Sequence, residues 1–214
     1  MSGAIVPDSG TIELEGKQYN RMTPKLAKDL GIEVIYQEFT LVPGISAAEN
    51  VFLGDKTKPG AFCDIKDREA RAKKIFDDLQ VDIDVSRPVK TMSPAHQQLV
   101  EIAKAVSRNV KILIMDEPTA PLSTKETEYL FELIEKLKSQ GVTIIYISHR
   151  LEELYRISDR LTIMRDGKKI LTADTQDVSR KDLIRHMANR EVEEIDFHSE
   201  ATIGDTVLEV QNLC

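Results

Sequence analysis

The chain is poor in cysteine, in long apolar stretches and in positive charge. Its two cysteines, Cys63 and Cys214, lie far apart and match no metal-ligand spacing, so we expect a reduced, cytosolic protein. No apolar run approaches the roughly twenty residues that a membrane-spanning helix needs, and no signal peptide opens the chain. The net charge of −7 argues against a nucleic-acid partner, which would favour a basic surface. If the protein works at a membrane, another subunit must anchor it.

The 214 residues are enough for one α/β domain with extensions. Strand-like apolar segments at residues 32–36, 111–115 and 142–147 alternate with helical patterns. The helical patterns lie at residues 24–30, 47–53, 67–79, 97–107, 123–140, 151–157 and 179–189. This order predicts a mostly parallel sheet. Asp166-Gly167 is the strongest hairpin signal in the chain.

The composition predicts three parts. We assign residues 1–190 to one domain, in which residues of about 47–107 form a helical subdomain. Residues 191–205 are acidic and read as a linker. Residues 206–214 alternate like the first strand of a further domain.

The most informative stretch is 111–119, a short apolar strand that ends in two carboxylates. Residues 112–115 are apolar without alternation, which is typical of a strand buried on both faces. Asp116 and Glu117 then fall at its carboxyl end, where open α/β sheets bind ligands. In nucleotide hydrolases the first acid of such a pair supports Mg²⁺ and the second can act as general base. The alternative is a strand end followed by an ordinary acidic helix entry at residues 118–123.

Four polar positions each follow a predicted strand or open a predicted helix. They are Gln37, Ser93, the pair Asp116-Glu117, and His149. In this order they resemble the ATP-binding cassette ATPases, which implies a P-loop NTPase-like fold with a mostly parallel sheet and a helical subdomain.

The resemblance implies a role for each of these positions. Glu117 and His149 would be catalytic, as general base and as the switch histidine. Gln37, Ser93 and Asp116 would bind nucleotide, and Gln37 and Asp116 would hold Mg²⁺. Ser93 opens the signature motif, whose helix N-terminus faces the γ-phosphate of ATP held on a partner cassette.

Two longer segments narrow the resemblance. Residues 97–105, Gln-Gln-Leu-Val-Glu-Ile-Ala-Lys-Ala, and residues 44–54 look like the ATP-binding subunits of bacterial monosaccharide importers of the ribose and galactoside type. The resemblance implies ATP and Mg²⁺ as cofactors, and a position at the inner face of the cell membrane. It implies membrane permease subunits and a second cassette as partners, and a periplasmic or lipoprotein sugar-binding protein indirectly. Those subunits carry two cassettes, and residues 206–214 resemble the opening of the second.

Three departures from the family pattern stand out. No Gly-x-x-x-x-Gly-Lys-[Ser/Thr] motif occurs in the chain, so the phosphate-loop strand and helix are expected to be lacking and the chain to begin after them. Ala95 replaces a glycine of the signature motif, where the backbone must approach phosphate closely. Pro121 lies in the loop after Glu117.

These observations leave alternative functions open. The first is an ATPase subunit of a sugar importer, or a fragment of one. The second is a non-catalytic cassette remnant that docks on a permease or partner cassette without binding ATP. A third, an ATPase of a DNA-repair or translation branch, is opposed by residues 97–105 and by the acidic charge. The sequence alone does not name the sugar.

Overall fold

The structure is a computed structural model, and it describes residues 1–54 and 65–188. The chain divides into two compact units, the first running from Met1 to Ser158 and the second beginning at Asp159. The predicted connection around residues 54–63 lies almost wholly outside the described residues. The predicted linker 191–205 and strand 206–214 lie outside them entirely.

The first unit is built from the following elements. Its strands are β1 (Ile12–Leu14), β2 (Lys17–Tyr19), β3 (Ile32–Ile35), β4 (Ile112–Asp116) and β5 (Thr143–Ile147). Its helices are α1 (Pro24–Asp29), α2 (Ala47–Val51), α3 (Ile65–Leu79), α4 (Pro94–Val106), α5 (Thr124–Ser139) and α6 (Leu151–Ile157), with a 3₁₀ turn at Val89–Thr91.

A parallel three-stranded sheet forms the centre of this unit, in the order β3-β4-β5. Ile114 of β4 lies opposite Val34 on one side and Ile145 on the other. Parallel neighbours need long crossover connections, and here the helices α2 to α4 and then α5 provide them. A separate antiparallel hairpin joins β1 to β2. The predicted α/β class with a parallel sheet and helices is confirmed.

The core has two parts because successive residues of a strand face opposite sides of the sheet. Leu113 and Met115 of β4 belong to the larger cluster, together with buried residues of helices α2, α3, α4 and α5. Ile112 belongs to the smaller cluster, which includes Ala27 of α1, and Ile114 packs against that cluster together with residues of the β1–β2 hairpin. The apolar run of β4 is therefore explained by burial on both faces.

The strand β5 is more exposed than its sequence suggests. The apolar run at 142–147 predicts a second buried strand, but Ile147 is 47% exposed and the three residues before it are only half-buried. Within the described part of the chain, β5 is hydrogen-bonded to β4 alone. A strand that has a neighbour on one side only is less covered than β4, which has two.

Helix α4 begins three residues earlier than the pattern at 97–107 predicts. Ser93 is its N-cap, and Pro94 occupies the first turn. Proline suits this position because its fixed φ matches the helix and its missing N–H would have had no partner there. Helices α2, α3 and α4 contribute side chains to the same cluster, while the limits of the helical subdomain stay a prediction.

The second unit contains an antiparallel hairpin and one helix among its described residues. They are β6 (Arg160–Arg165), β7 (Lys168–Asp174), a 3₁₀ turn at Thr175–Asp177, and α7 (Arg180–Ala188). Asp166 and Gly167 make the turn with φ of 50° and 72°, the left-handed conformation that a two-residue hairpin loop of this type requires. The predicted hairpin is confirmed.

None of the described helices is long and apolar enough to cross a membrane.

Candidate nucleotide site

Glu117 follows the central strand directly, at the carboxyl edge of the parallel sheet. Its φ of 45° lies in the left-handed region, which is uncommon for a residue other than glycine. Its backbone N–H donates to the carbonyl of Ile147 at 2.9 Å, and its own carbonyl accepts from the N–H of Ala120 at 3.1 Å. The neighbouring strand and the following turn thus hold an unfavourable backbone conformation that aims this side chain.

The carboxylate of Glu117 contacts both Gln37 and His149. Its Oε1 lies 2.8 Å from Nδ1 of His149, and its Oε2 accepts from Nε2 of Gln37 at 3.4 Å. Because a carboxylate only accepts hydrogen bonds, the contact with His149 places a hydrogen on Nδ1. The Glu117 side chain is 30% exposed and that of His149 69% exposed, so the pair is open to solvent and to a ligand.

The sheet explains why these three residues meet. Gln37 lies two residues beyond β3, Glu117 one residue beyond β4, and His149 two residues beyond β5. The carboxyl ends of parallel neighbours share one edge, so side chains that are 80 residues apart in the chain become adjacent. The structure brings Gln37, Glu117 and His149 together, while their chemical roles stay predictions.

Asp116 is half-buried at the last position of β4, where it pairs in register with Ile147. A carboxylate oxygen and the amide oxygen of Gln37 are donors of the kind Mg²⁺ prefers, and Mg²⁺ keeps several waters in addition. In the described residues no three His, Cys, Asp or Glu side chains come together as a metal cluster. Asp116 and Gln37 nevertheless carry oxygens of the type that can hold a magnesium ion.

Ser93 lies at a different place, at the N-terminus of α4. Its Oγ accepts from the N–H of His96 at 3.3 Å, so it serves as a helix cap in this structure. With Ala95 and His96 it lines a cavity of about 440 Å³ that is otherwise formed mainly by residues of α4 and α5. Ser93 does not belong to the Gln37–Glu117–His149 cluster.

Pro121 does not disrupt the loop after Glu117. The turn is closed on both sides of it by the N–H groups of Ala120 and Leu122, which donate to the carbonyls of Glu117 and Thr119. Helix α5 then begins with a complete capping box formed by Ser123 and Glu126.

Sequence reasoning missed a buried carboxylate beside this site. Glu153 is only 5% exposed and accepts from Thr119 Oγ1 at 2.7 Å, Tyr146 Oη at 2.8 Å and Ser148 Oγ at 2.9 Å. Arg150 adds an ion pair at 3.5 Å. Burial, and then the hydrogen bond to Glu153, raise the pKa of Tyr146 well above its usual range. The sequence feature that could have identified Glu153 was its position, one helical turn after His149.

A second buried carboxylate connects the loop of Gln37 to helix α4. Oε1 of Glu101 accepts from both the N–H and the hydroxyl of Thr40, at 2.6 and 2.8 Å. Glu101 lies in segment 97–105, which carries part of the family resemblance. The sequence alone suggested no role for Glu101 itself. It fixes the loop that carries Gln37 against the helix that Ser93 caps.

Comparison with known proteins gives a consistent result. The family model described as ABC transporter matches residues 1–120. Over its whole length the chain is 42% identical to "Ribose import ATP-binding protein RbsA 2" of Escherichia coli O157:H7 and 44% identical to "Ribose import ATP-binding protein RbsA 3" of Rhizobium meliloti. It is 41% identical, over 99% of its length, to a "Putative ribose/galactose/methyl galactoside import ATP-binding protein" of Geobacillus kaustophilus. The chain spans 42% of the length of each of these relatives.

Solved structures show the same fold. A nucleotide-free ATP-binding cassette from an ABC transporter matches with a TM-score of 0.71 at 24% identity, covering 81% of this chain and 72% of the other. A cassette in its ADP conformation matches with a TM-score of 0.73 at 22% identity, covering 89% and 78%. With the family model matching more than half of the residues, this chain belongs to the ABC transporter family and has the fold of its ATP-binding cassettes.

Proposed function

We propose that the chain is the ATP-binding part of a sugar-import ABC transporter, in which ATP hydrolysis drives import through a membrane permease. The support is identity of 41–44% to ribose and galactoside import ATP-binding proteins along essentially the whole chain. The single observation that carries the chemistry is the contact of Glu117 with both Gln37 and His149.

Each residue of the site has a place in this reaction. Glu117 would accept the proton of an attacking water, because its carboxylate is partly exposed and held in a defined direction. His149 would contact the terminal phosphate, and Asp116 and Gln37 would hold Mg²⁺. When bound, Mg²⁺ supplies positive charge that offsets the charge developing on the phosphates. Ser93, at the N-terminus of α4, would face nucleotide held by a partner cassette.

The 214 residues supply only part of a nucleotide site. They contain no phosphate-loop motif, whose backbone N–H groups and lysine cradle the β- and γ-phosphates. We propose that the site is completed by a phosphate loop outside this sequence. The partners would be permease subunits, a second cassette and, indirectly, a sugar-binding protein, at the inner face of the membrane.

A second candidate is a non-catalytic cassette that docks on a permease or a partner cassette. The absence of the phosphate-loop motif from the sequence favours it, together with Ala95 in the signature motif. This candidate predicts that the chain folds but that its Gln37–Glu117–His149 cluster never acts on nucleotide.

A graft experiment separates the two candidates. The first sample is the chain itself, and the second is the chain preceded by the phosphate-loop segment of the Escherichia coli relative. Both are titrated with Mg²⁺-ATP in a calorimeter and assayed for phosphate release. The ATPase proposal predicts binding and hydrolysis by the grafted chain, with the chain alone binding weakly or not at all.

Glu117→Gln in the grafted chain tests the catalytic assignment. Losing a general base lowers hydrolysis by about 100-fold or more while leaving nucleotide binding in place. Glu135→Gln, which changes a glutamate on the exposed side of α5, is the matched control and should hydrolyse normally. A grafted chain that folds but neither binds nor hydrolyses ATP would favour the non-catalytic candidate. Hydrolysis that survives Glu117→Gln would refute the role of Glu117.

A further inference from the structure

Glu153 lies between the two segments that carry Glu117 and His149. Thr119, which donates to one carboxylate oxygen, lies two residues after Glu117 in the loop that follows β4. Tyr146 and Ser148 donate to the other oxygen. Tyr146 lies near the end of β5, and Ser148 immediately precedes His149. The carboxylate of Glu153 therefore joins the loop after β4 to the end of β5. Glu153 and Thr119 are 34 residues apart in the sequence.

His149 itself is fixed from both sides by this arrangement. The hydroxyl of Ser148 donates to Glu153 and at the same time accepts from the backbone N–H of Arg150 at 3.0 Å. The guanidinium of Arg150 returns to Glu153 at 3.5 Å. The residues immediately before and after His149 are thus both tied to the same buried group.

Glu153 also holds the segment that carries Glu117. Glu117 has a left-handed backbone, which costs free energy and persists only where the surroundings enforce it. Thr119 is 2% exposed, and its hydroxyl bond to Glu153 holds the loop two residues further on. Hydrogen bonds to an ionised acceptor are shorter and stronger than neutral ones, and leaving such an acceptor unsatisfied inside a protein is costly.

The geometry points to Glu153 as a positioning residue, which holds the loop of Thr119 and the segment Ser148 to Arg150 so that Glu117 and His149 remain in contact. Glu153 acts through its neighbours, and its effect on turnover rests on the proposed function. Its effect on the Glu117–His149 contact does not, because that contact is made between two side chains of this chain.

The test removes single hydroxyl groups and observes His149 directly. The ring nitrogens of His149 are followed by ¹⁵N NMR in the full chain, without nucleotide, and assigned with His149→Gln. Glu117→Gln gives the signal of a His149 whose carboxylate partner is lost. Thr119→Val removes the hydroxyl at nearly constant volume, and Thr119→Ser keeps it. Tyr146→Phe removes the second hydroxyl and keeps the ring that packs against Phe131.

We expect Thr119→Val and Tyr146→Phe to move the Nδ1 signal of His149 more than half of the way toward its position in Glu117→Gln. Thr119→Ser should restore the native signal. Tyr129→Phe is the matched control, because its hydroxyl donates to the carbonyl of Gln80 outside this network. It should leave the signal where it is.

A purely structural role for Glu153 predicts a different result. Thr119→Val and Tyr146→Phe would then lower the melting temperature and leave the His149 signal of the folded protein unchanged, and that outcome overturns the proposal. Because all of these variants retain Glu153, the test does not depend on whether Glu153→Gln folds. A failure of the grafted chain to hydrolyse ATP would refute the proposed function and leave this result standing.

Discussion

Asn50 shows how a single buried side chain shapes the loop that follows Gln37. It is fully buried in α2, and its Oδ1 accepts from the N–H of Val42 at 2.8 Å. The two hydrogens of its Nδ2 are shared among three carbonyls within hydrogen-bond distance, those of Val42, Ile45 and Ser46. An asparagine amide offers an acceptor oxygen and two N–H donors in one side chain. The loop at residues 42–46 therefore takes its shape from this residue.

Asn50→Asp should destabilise the protein strongly at neutral pH. The substitution keeps the shape but turns an oxygen toward three carbonyls, which costs about 1–3 kcal/mol for the lost partners and more for the charge. Repulsion by the carbonyls raises the pKa of the new carboxyl in the folded state above its unfolded value. The loss should therefore shrink as the pH falls and the carboxyl becomes protonated.

Urea unfolding of Asn50→Asp at neutral and mildly acidic pH measures this effect. Asn20→Asp is the control, because Asn20 is exposed and its substitution should change the free energy of unfolding little. Equal stability of Asn50→Asp and the native chain at neutral pH would contradict the assignment of Asn50.

At the scale of elements, helix α2 depends on its first turn. Ser46 and Glu49 form a complete capping box, in which Ser46 accepts from the N–H of Glu49 and Glu49 accepts from the N–H and the hydroxyl of Ser46. These hydrogen bonds lower the pKa of Glu49 below its ordinary value of 4.5. A helix of five residues is too short to be stable alone, so the box and the packing of its buried residues define it.

Glu49→Gln should flatten the dependence of stability on pH. A carboxyl whose folded pKa is lowered adds stability above its unfolded pKa, and this stability is lost as the pH falls through the folded pKa. The native chain should therefore lose more stability than Glu49→Gln between about pH 6 and about pH 3. Urea titrations across this range measure the difference. Identical pH profiles for the two proteins would show that the box contributes nothing through its charge.

At the scale of the whole molecule, the edge of strand β5 is open among the described residues. In the part of the chain that the structure describes, β5 pairs with β4 alone, and it consists of Thr143, Ile144, Ile145, Tyr146 and Ile147. An apolar strand with an unpaired edge is a template for pairing with another chain. We therefore expect this protein to associate as its concentration rises.

Ile147→Lys should reduce that association. A lysine at an open strand edge disfavours pairing between chains. Val42→Lys is the control, since Val42 is similarly exposed, 40% against 47% for Ile147, but lies in a loop. Static light scattering over a concentration series should give a lower mean mass for Ile147→Lys than for Val42→Lys. Equal masses would show that this edge does not mediate association.

The sequence by itself determined those features that depend on neighbours along the chain. The apolar run before Asp116 predicted β4, the Asp166-Gly167 pair predicted the hairpin of β6 and β7, and helical periodicity predicted α4 and α5. Backbone preferences and burial patterns act over a few neighbouring residues, so they can be predicted from the sequence. The family resemblance added the prediction that the strand ends at Gln37, Asp116-Glu117 and His149 carry the chemistry.

Tertiary structure alone decided what depends on residues far apart in the chain. Glu117 meets Gln37 across 80 residues because their strands are parallel neighbours. Glu153 becomes a buried acceptor only when α6 packs beside Thr119, and β5 remains half-exposed because it has one strand neighbour among the residues described. Hydrogen-bond partners and burial of this kind are set by the arrangement of elements, and no local pattern in the sequence encodes them.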